Sequence, residues 1–280
     1  MIRRMLTEER IKEFENNLVE NERSRATIEK YMRDIRCFFN FVGDRILDKT
    51  LVLQYKEKLV EEYALTSANS MLAAMNSFFR FEGWYDCCVK LFKIQRKTYC
   101  SEEKELTKEE YFRLVNMAEK QGNDRLALLY QTICGTGIRV SEIQYVTLEG
   151  VQKGEIFVSC KGKSRIVFIV SKLRKKILMY AKKQGIHSGI IFRTKTGRTM
   201  NRSNIWREMK KLCKDAGVSE EKVFPHNFRH LFARSFYSVE KDIVKLADIL
   251  GHSNVNTTRI YMISTGAEHR KRMESMRLIV

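Results

Sequence analysis

Proline is almost missing from this chain: among 280 residues only Pro225 occurs. Long helices with few rigid turns are expected from that. Long apolar runs are missing too. They are short, as in Ile166 to Val170, and nothing approaches the ~20 residues of a membrane span. The first ten residues turn polar and acidic before the apolar core of a secretion signal could form. A cytoplasmic protein with no membrane partner is therefore expected. No Cys-x-x-Cys occurs, the seven cysteines are odd in number, and Cys87 and Cys88 are adjacent. This excludes a disulfide framework and a zinc module, and leaves most of the thiols as small core residues in a reducing compartment. There is no carboxylate cluster, and Lys153 to Lys163 does not match a phosphate-binding G-x-x-x-x-G-K-[ST] loop. No metal and no cofactor is expected.

Positive charge, by contrast, is abundant. Fifty-two Lys and Arg stand against 34 Asp and Glu, a net charge of +18. The excess is uneven. Residues 1–100 carry 18 basic and 15 acidic side chains, net +3, and residues 101–280 carry 34 and 19, net +15. Such a balance suits a partner that is a polyanion. A supercharged, solvated surface is the alternative.

Residues 1–93 read as a helical bundle. Thr7 can cap a helix burying Ile11, Phe14 and Leu18, with Leu6 and Ile11 as a hydrophobic staple. A second helix runs from about Ala26 to Val42, with apolar residues three and four apart and Gly43 as its stop. A third covers about Leu51 to Tyr63. Thr66 is expected to cap a fourth that ends at Gly83. Residues 94–105 lose the periodicity and read as a linker. At Thr107 a capping box with Glu110 opens a second, mixed domain over residues 106–280. It should contain helices near 107–121 and 124–134. Two strands, Glu155 to Cys160 and Arg165 to Val170, flank the four-residue turn Lys161 to Ser164. Ser171 opens a further helix, a short strand lies near Gly189 to Phe192, and mostly helix follows. The fold class is mainly α with a small β-sheet.

Four local patterns in the second domain carry chemistry. An apolar helix stops at Gly135, and Arg139 follows in the turn before a helix that Ser141 could begin. Its guanidinium fork matches phosphate oxygens in two-point contact; pairing with Glu142 or Glu149 is the alternative. Pro225 sits at a helix start, and His226 and Arg229 lie on one face three residues apart, a phosphate site with a proton-transfer group. His230 is expected to point elsewhere, as a packing or supporting residue. An apolar helix ends at Gly251, His252 follows in the turn, and a new helix carries Tyr261. Lys161 occupies the hairpin turn.

Taken in order, these patterns resemble the tyrosine recombinase/integrase family, in which a glycine-rich turn bears an arginine, a hairpin bears a lysine, and a His-x-x-Arg helix, a Leu-Gly-His turn and a tyrosine follow. Here the positions are Arg139, Lys161, His226 with Arg229, His252, and Tyr261 nine residues beyond that histidine. The N-terminal bundle resembles the family's core-binding domain, and the likeness runs from about residue 7 to residue 275. Phe168 stands where the family often has proline, and Lys163 competes with Lys161 for the hairpin lysine.

The resemblance implies a core-binding bundle followed by a mixed α+β catalytic domain that cuts and rejoins DNA without metal or ATP. Arg139 and Arg229 would clamp the non-bridging phosphate oxygens. Tyr261 would attack to form a 3′-phosphotyrosyl link. His226 would receive or relay its proton, Lys161 would protonate the leaving 5′ oxygen, and His252 would donate to a phosphate oxygen. The implied partners are double-stranded DNA with a specific core site and further copies of the chain in a tetramer, with a paired recombinase or directionality factor as additional candidates. Arg193, Lys195, Arg198, Arg202, Arg207, Lys210 and Lys211 form a basic stretch expected to lie against the DNA backbone or a groove; an ordinary basic helix is the alternative. The last residues read as a tail helix, with Leu278 and Ile279 available to dock on its own domain or on a neighbour. Strand relaxation of the type IB topoisomerase kind, and a silent DNA-binding factor, are the competing functions.

Overall fold

The computed structural model describes residues 4–94, 104–160, 163–194, 196–262, 270 and 273–276. The chain divides into two compact units, residues 1–96 and 97–280.

The first unit is a bundle of α1 (Glu8–Glu20), α2 (Arg25–Val42), α3 (Lys49–Glu62) and α4 (Leu65–Phe81). Thr7, Ser24 and Asp48 cap the first three through their side chains, each accepting from a backbone N–H of the first turn. Leu6 and Ile11 are both buried, as a staple requires. The fourth helix differs from expectation. It begins two residues earlier, at Leu65, with Ala64 before it and no side-chain cap, so Thr66 lies inside the helix. Side chains further along the helix tie it to the chain that follows. Asn69 and Asn76, seven residues apart on α4, each bond the N–H and C=O of a residue in the chain that follows. Asn76 takes Val89 at 2.9 and 2.8 Å, and Asn69 takes Phe92 at 2.8 and 2.9 Å. The core is aromatic, with Phe14, Phe38, Phe78 and Phe79 nearly inaccessible. Cys87 is buried and Cys88 half-buried, whereas Cys37 is exposed on α2.

The second unit contains α5 (Lys108–Lys120), α6 (Asp124–Thr136), α7 (Leu148–Lys153), β1 (Glu155–Cys160), β2 (Lys163–Phe168), α8 (Ser171–Lys183), α9 (Arg202–Lys211), α10 (Pro225–Glu240), α11 (Ile243–Leu250) and α12 (Val255–Arg259). The Thr107–Glu110 capping box is present at α5. The strands pair antiparallel, with Cys160 opposite Lys163. The ladder thus starts two residues earlier in β2 than the sequence reading placed it, and two residues rather than four separate the paired ends. Alternation explains the rest of the hairpin: Val158 and Val167 face the core, while Phe157, Ile166 and Phe168 are exposed. The strand expected near Gly189 to Phe192 is only an isolated bridge from Ile190 to Thr147, with a second from Arg193 to Thr199.

Packing sets where α10 lies. Phe228 stacks on Tyr130 of α6 with ring centroids 4.8 Å apart, and the Tyr130 hydroxyl donates to the Met209 carbonyl of α9 at 3.1 Å. On the other side, Phe232 of α10 comes down on Gly137, the left-handed residue ending α6 (φ +65°). A Cβ at Gly137 would meet Phe232 at 2.4 Å and Leu250 at 2.9 Å. Gly154, also left-handed (φ +83°), has nothing within 4 Å of such a Cβ. The two glycines separate backbone strain from packing. Gly154→Ala is expected to cost about 1 kcal/mol. Gly137→Ala adds overpacking and is expected to cost about 3 kcal/mol or more. Denaturant unfolding of both variants measures the difference.

Candidate active site

Three arginines converge on the last turn of α11. Each donates to a different one of three successive carbonyls. Arg165 of β2 reaches Ile249 O at 2.5 Å, Arg229 of α10 reaches Leu250 O at 2.7 Å, and Arg139 reaches Gly251 O at 3.1 Å. These carbonyls lack intrahelical partners and carry the negative end of the helix dipole, so cations suit them. Arg229 also donates to the Gly137 carbonyl at the end of α6. Gly251 is left-handed (φ +64°), and a Cβ there would strike Arg165 Cδ at 2.4 Å.

One carboxylate serves two of the three. Glu142, buried, accepts from Arg139 Nη1 at 2.9 Å and from Arg165 Nη2 at 2.7 Å. It also accepts from the Arg139 backbone N–H at 2.9 Å, which shapes the 3-10 turn over Val140–Tyr145. Burial pushes its carboxyl up, but these hydrogen bonds and the two arginine charges outweigh burial and hold it below the usual range. The sequence left Glu142 and Glu149 open as partners of Arg139. Glu142 is the partner, and Glu149 accepts from the Gly189 N–H instead. Ser141 starts no separate helix; it is the second residue of that 3-10 turn. Among the described residues no carboxylate contacts Arg229, which is 2% exposed.

Tyr261 is buried in a 3-10 turn, Ile260–Met262, that continues α12. Its ring packs edge-on against His230 at a centroid distance of 4.3 Å, with His226 and His252 each at 5.7 Å. The Tyr261 hydroxyl lies near enough to Arg229 for the two to interact electrostatically. His230 therefore does not point away, as the helix register had suggested. It is the imidazole nearest the tyrosine and stands 4.7 Å from His226. His252 Nε2 lies 2.9 Å from Arg229 Nη2, and its Nδ1 lies 2.8 Å from Thr258 Oγ1. Arg139, His226, Arg229, His252 and Tyr261 are thus brought together. Lys161 lies outside the described residues, as do Lys195 and the apolar tail residues Leu278 and Ile279; only the backbone of Lys163 is described.

The basic stretch is spread over the surface of α9 and the turn before it. Arg198, Arg202, Arg207 and Lys211 are exposed, while Arg193 is half-buried. Lys210 is tied down by the Glu220 carbonyl and covers the Trp206 ring at 5.1 Å. Arg202 lies near enough to His226 for its charge to act on that ring.

Sequence reasoning missed Arg165 and Thr258. Arg165 had a signal: it falls in phase with the inward-facing Val167 and Ile169, where a charged side chain needs a partner. Thr258 had none, because a threonine in a short helix is ordinary.

The imidazoles are held neutral. Burial lowers the pKa of His230 to about 3, helped by His226 and Arg229. Burial and the charges of Arg229, Arg139 and Arg165 lower that of His252 to about 4. His226 is exposed at the rim, yet desolvation and Arg229, Arg139 and Arg202 still lower it. The unfolded chain, with histidines near about 6.5, binds more protons than the folded one below that pH. This part of the stability is complete above about pH 6.5 and is lost as pH falls toward about 4 and 3. Unfolding free energies at about pH 7 and pH 5 should show a loss about 1–2 kcal/mol smaller in His230→Phe than in the unsubstituted protein. Equal losses would mean that His230 titrates normally.

Comparison with known proteins agrees with this geometry. Residues 104–268 match the model of the phage integrase family, and residues 11–84 match the phage integrase N-terminal SAM-like domain. Tyrosine recombinase XerA of Thermococcus kodakarensis is 31% identical, over 96% of this chain and 95% of its own. The crystal structure of XerA recombinase superimposes with a TM-score of 0.55 at 24% identity, covering 98% of this chain and 100% of that one. A lambda integrase (75–356) dimer bound to a COC′ core site gives 0.74 at 16% identity, covering 92% and 95%. Domain matches across both units and a full-length relative at this identity make the chain a member of the phage integrase family, the tyrosine recombinases, of the Xer-like kind.

Proposed function

We propose that this protein is a site-specific DNA recombinase that cleaves and rejoins strands through Tyr261. The observation that carries the reading is the placement of Tyr261, buried near Arg229 and packed against the neutral imidazoles of His226, His230 and His252.

The charge balance supports a phosphodiester as the ligand. Among the described residues Arg139, Arg165 and Arg229 have one carboxylate beside them, Glu142, which pairs with the first two, so the site has an excess of two positive charges. Arg139 is the exposed member, its side chain 37% accessible, and it is the one free to take a phosphate oxygen. Arg229 is buried behind it and faces the tyrosine. Tyr261 Oη attacks phosphorus, the P–O5′ bond breaks, and the 3′-phosphate remains on the tyrosine. The two arginines follow the growing charge on the non-bridging oxygens. His226, neutral and at the rim, accepts the phenolic proton; Lys161 returns a proton to the 5′ oxygen. The ester keeps the bond energy, and the reverse attack by a 5′ hydroxyl rejoins the strand. His252 Nε2 accepts from Arg229, so donation to phosphate requires the ring to give up that bond and take a second proton, with Nδ1–H still on Thr258.

Exchange between two duplexes needs four cleavages, and each chain carries one tyrosine of this kind. A homotetramer on double-stranded DNA with a core site is the assembly we propose, acting in the cytoplasm. A lambda integrase tetramer bound to a Holliday junction has a similar fold, with a TM-score of 0.73. The exposed Arg198, Arg202, Arg207 and Lys211 are assigned to backbone contacts, with the units at residues 1–96 and 97–280 both engaging the duplex.

Covalent trapping tests the nucleophile. The protein is incubated with sheared genomic DNA of its source, stopped with SDS, and the protein-linked DNA is sequenced. Linked DNA enriched at discrete sites, and absent with Tyr261→Phe, is the expected result. Equal recovery with both proteins would remove Tyr261 from the mechanism, and recovery at scattered positions would indicate relaxation instead. Salt titration tests the basic surface. Arg202→Ala and Arg207→Ala should each reduce the slope of log affinity against log salt by about 1.

A further inference from the structure

We propose that Thr258 is a positioning residue: its hydroxyl fixes the tautomer of His252 and so latches the segment bearing Tyr261 to the arginine network. The inference rests on the reading of Tyr261 as nucleophile for its kinetic consequence, and on hydrogen-bond geometry alone for the tautomer.

A guanidinium has five N–H donors and no acceptor. Arg229 Nη2 lies 2.9 Å from His252 Nε2, so Nε2 must offer its lone pair. A neutral imidazole with a free Nε2 carries its proton on Nδ1. That nitrogen lies 2.8 Å from Thr258 Oγ1, and the hydroxyl accepts. The chain of bonds runs from Arg229 through the ring to a side chain that is fully buried. The lowered pKa of His252 fits the same arrangement, because a second ring proton would face the arginine's own N–H groups.

Thr258 stands three residues before Tyr261. Its helix, α12, has five residues, too few to be stable by itself. The helix is tethered to the turn after α11 by this bond and by the burial of Tyr261 against His230. Without the hydroxyl, His252 is free to place its proton on Nε2. That N–H would then oppose Arg229, and the ring would turn away, taking one partner from the arginine and loosening the segment that presents Tyr261.

The test uses full-length protein labelled with 15N-histidine, with His252→Gln identifying the His252 signals. Two-bond nitrogen–proton correlation spectra report which ring nitrogen is protonated. The unsubstituted protein and Thr258→Ser should show His252 protonated at Nδ1. Thr258→Val, equal in shape but lacking the hydroxyl, should show the Nε2–H form or a mixture. In covalent trapping on sheared genomic DNA, Thr258→Val should form the linked product about tenfold to a hundredfold more slowly, the range seen when supporting partners of other functional imidazoles are removed. Thr258→Ser should restore the rate. A proton on Nε2 in the unsubstituted protein, an unchanged pattern in Thr258→Val, or a Thr258→Ser as slow as Thr258→Val would overturn the proposal. If the unsubstituted protein traps no DNA, the nucleophile reading fails, while the spectra still decide the tautomer.

Discussion

The second unit is organised around a buried cation that has no anion of its own among the described residues. Arg229 is 2% exposed, and burial lowers its pKa to about 10. A lone buried charge is costly unless its hydrogen bonds are met. Here they are met by carbonyls at the ends of two helices, α6 and α11, aided by the His252 ring. Both helix ends must therefore come close, which requires glycine at Gly137 and Gly251. Phe232 fills the space beside one and Arg165 the space beside the other. The stacking of Phe228 on Tyr130 then fixes the helix from which Arg229 departs.

The same arrangement defines what the site lacks. Glu142 compensates Arg139 and Arg165 in part, and carbonyl dipoles hold Arg229 without cancelling its charge. The three histidines stay neutral, because any further proton would meet arginines already in place. In the proposed reaction a phosphate entering beside Arg139 would supply the missing negative charge. The buried phenol and neutral imidazoles would then serve as nucleophile and proton acceptor without competing with the arginines for it.

Much of this was legible in the sequence, unevenly. The bundle followed from apolar spacing and from Thr7, since local signals govern amphipathic helices. Thr66 misled because a good capping residue is no cap when the helix begins before it, here at Leu65 with no side-chain cap at all. The hairpin was placed, but not its register, because Lys163 and Ser164 suit a turn as well as a strand. Arg139, His226, Arg229, His252 and Tyr261 were found by their order along the chain. Their supports were not. Glu142 entered only as a neighbour of Arg139, and Arg165 and Thr258 act through partners 84 and 6 residues away. His230 was misplaced because helical register fixes the direction of a Cβ, whereas the approach of α12 decides which ring meets Tyr261.

The end of α11 works as a gauge. Three arginines arrive from a 3-10 turn, a strand and a helix, with long and flexible side chains. Their spacing is set by three consecutive peptide carbonyls, whose separation is a constant of backbone geometry. Loops between these elements can lengthen or shorten without altering the distances among the guanidinium groups. A one-residue slip of α11 would instead displace all three together. The domain can thus vary freely in surface contour, where different DNA sequences would be read, while the dimensions of a single phosphate remain recorded in one helix terminus.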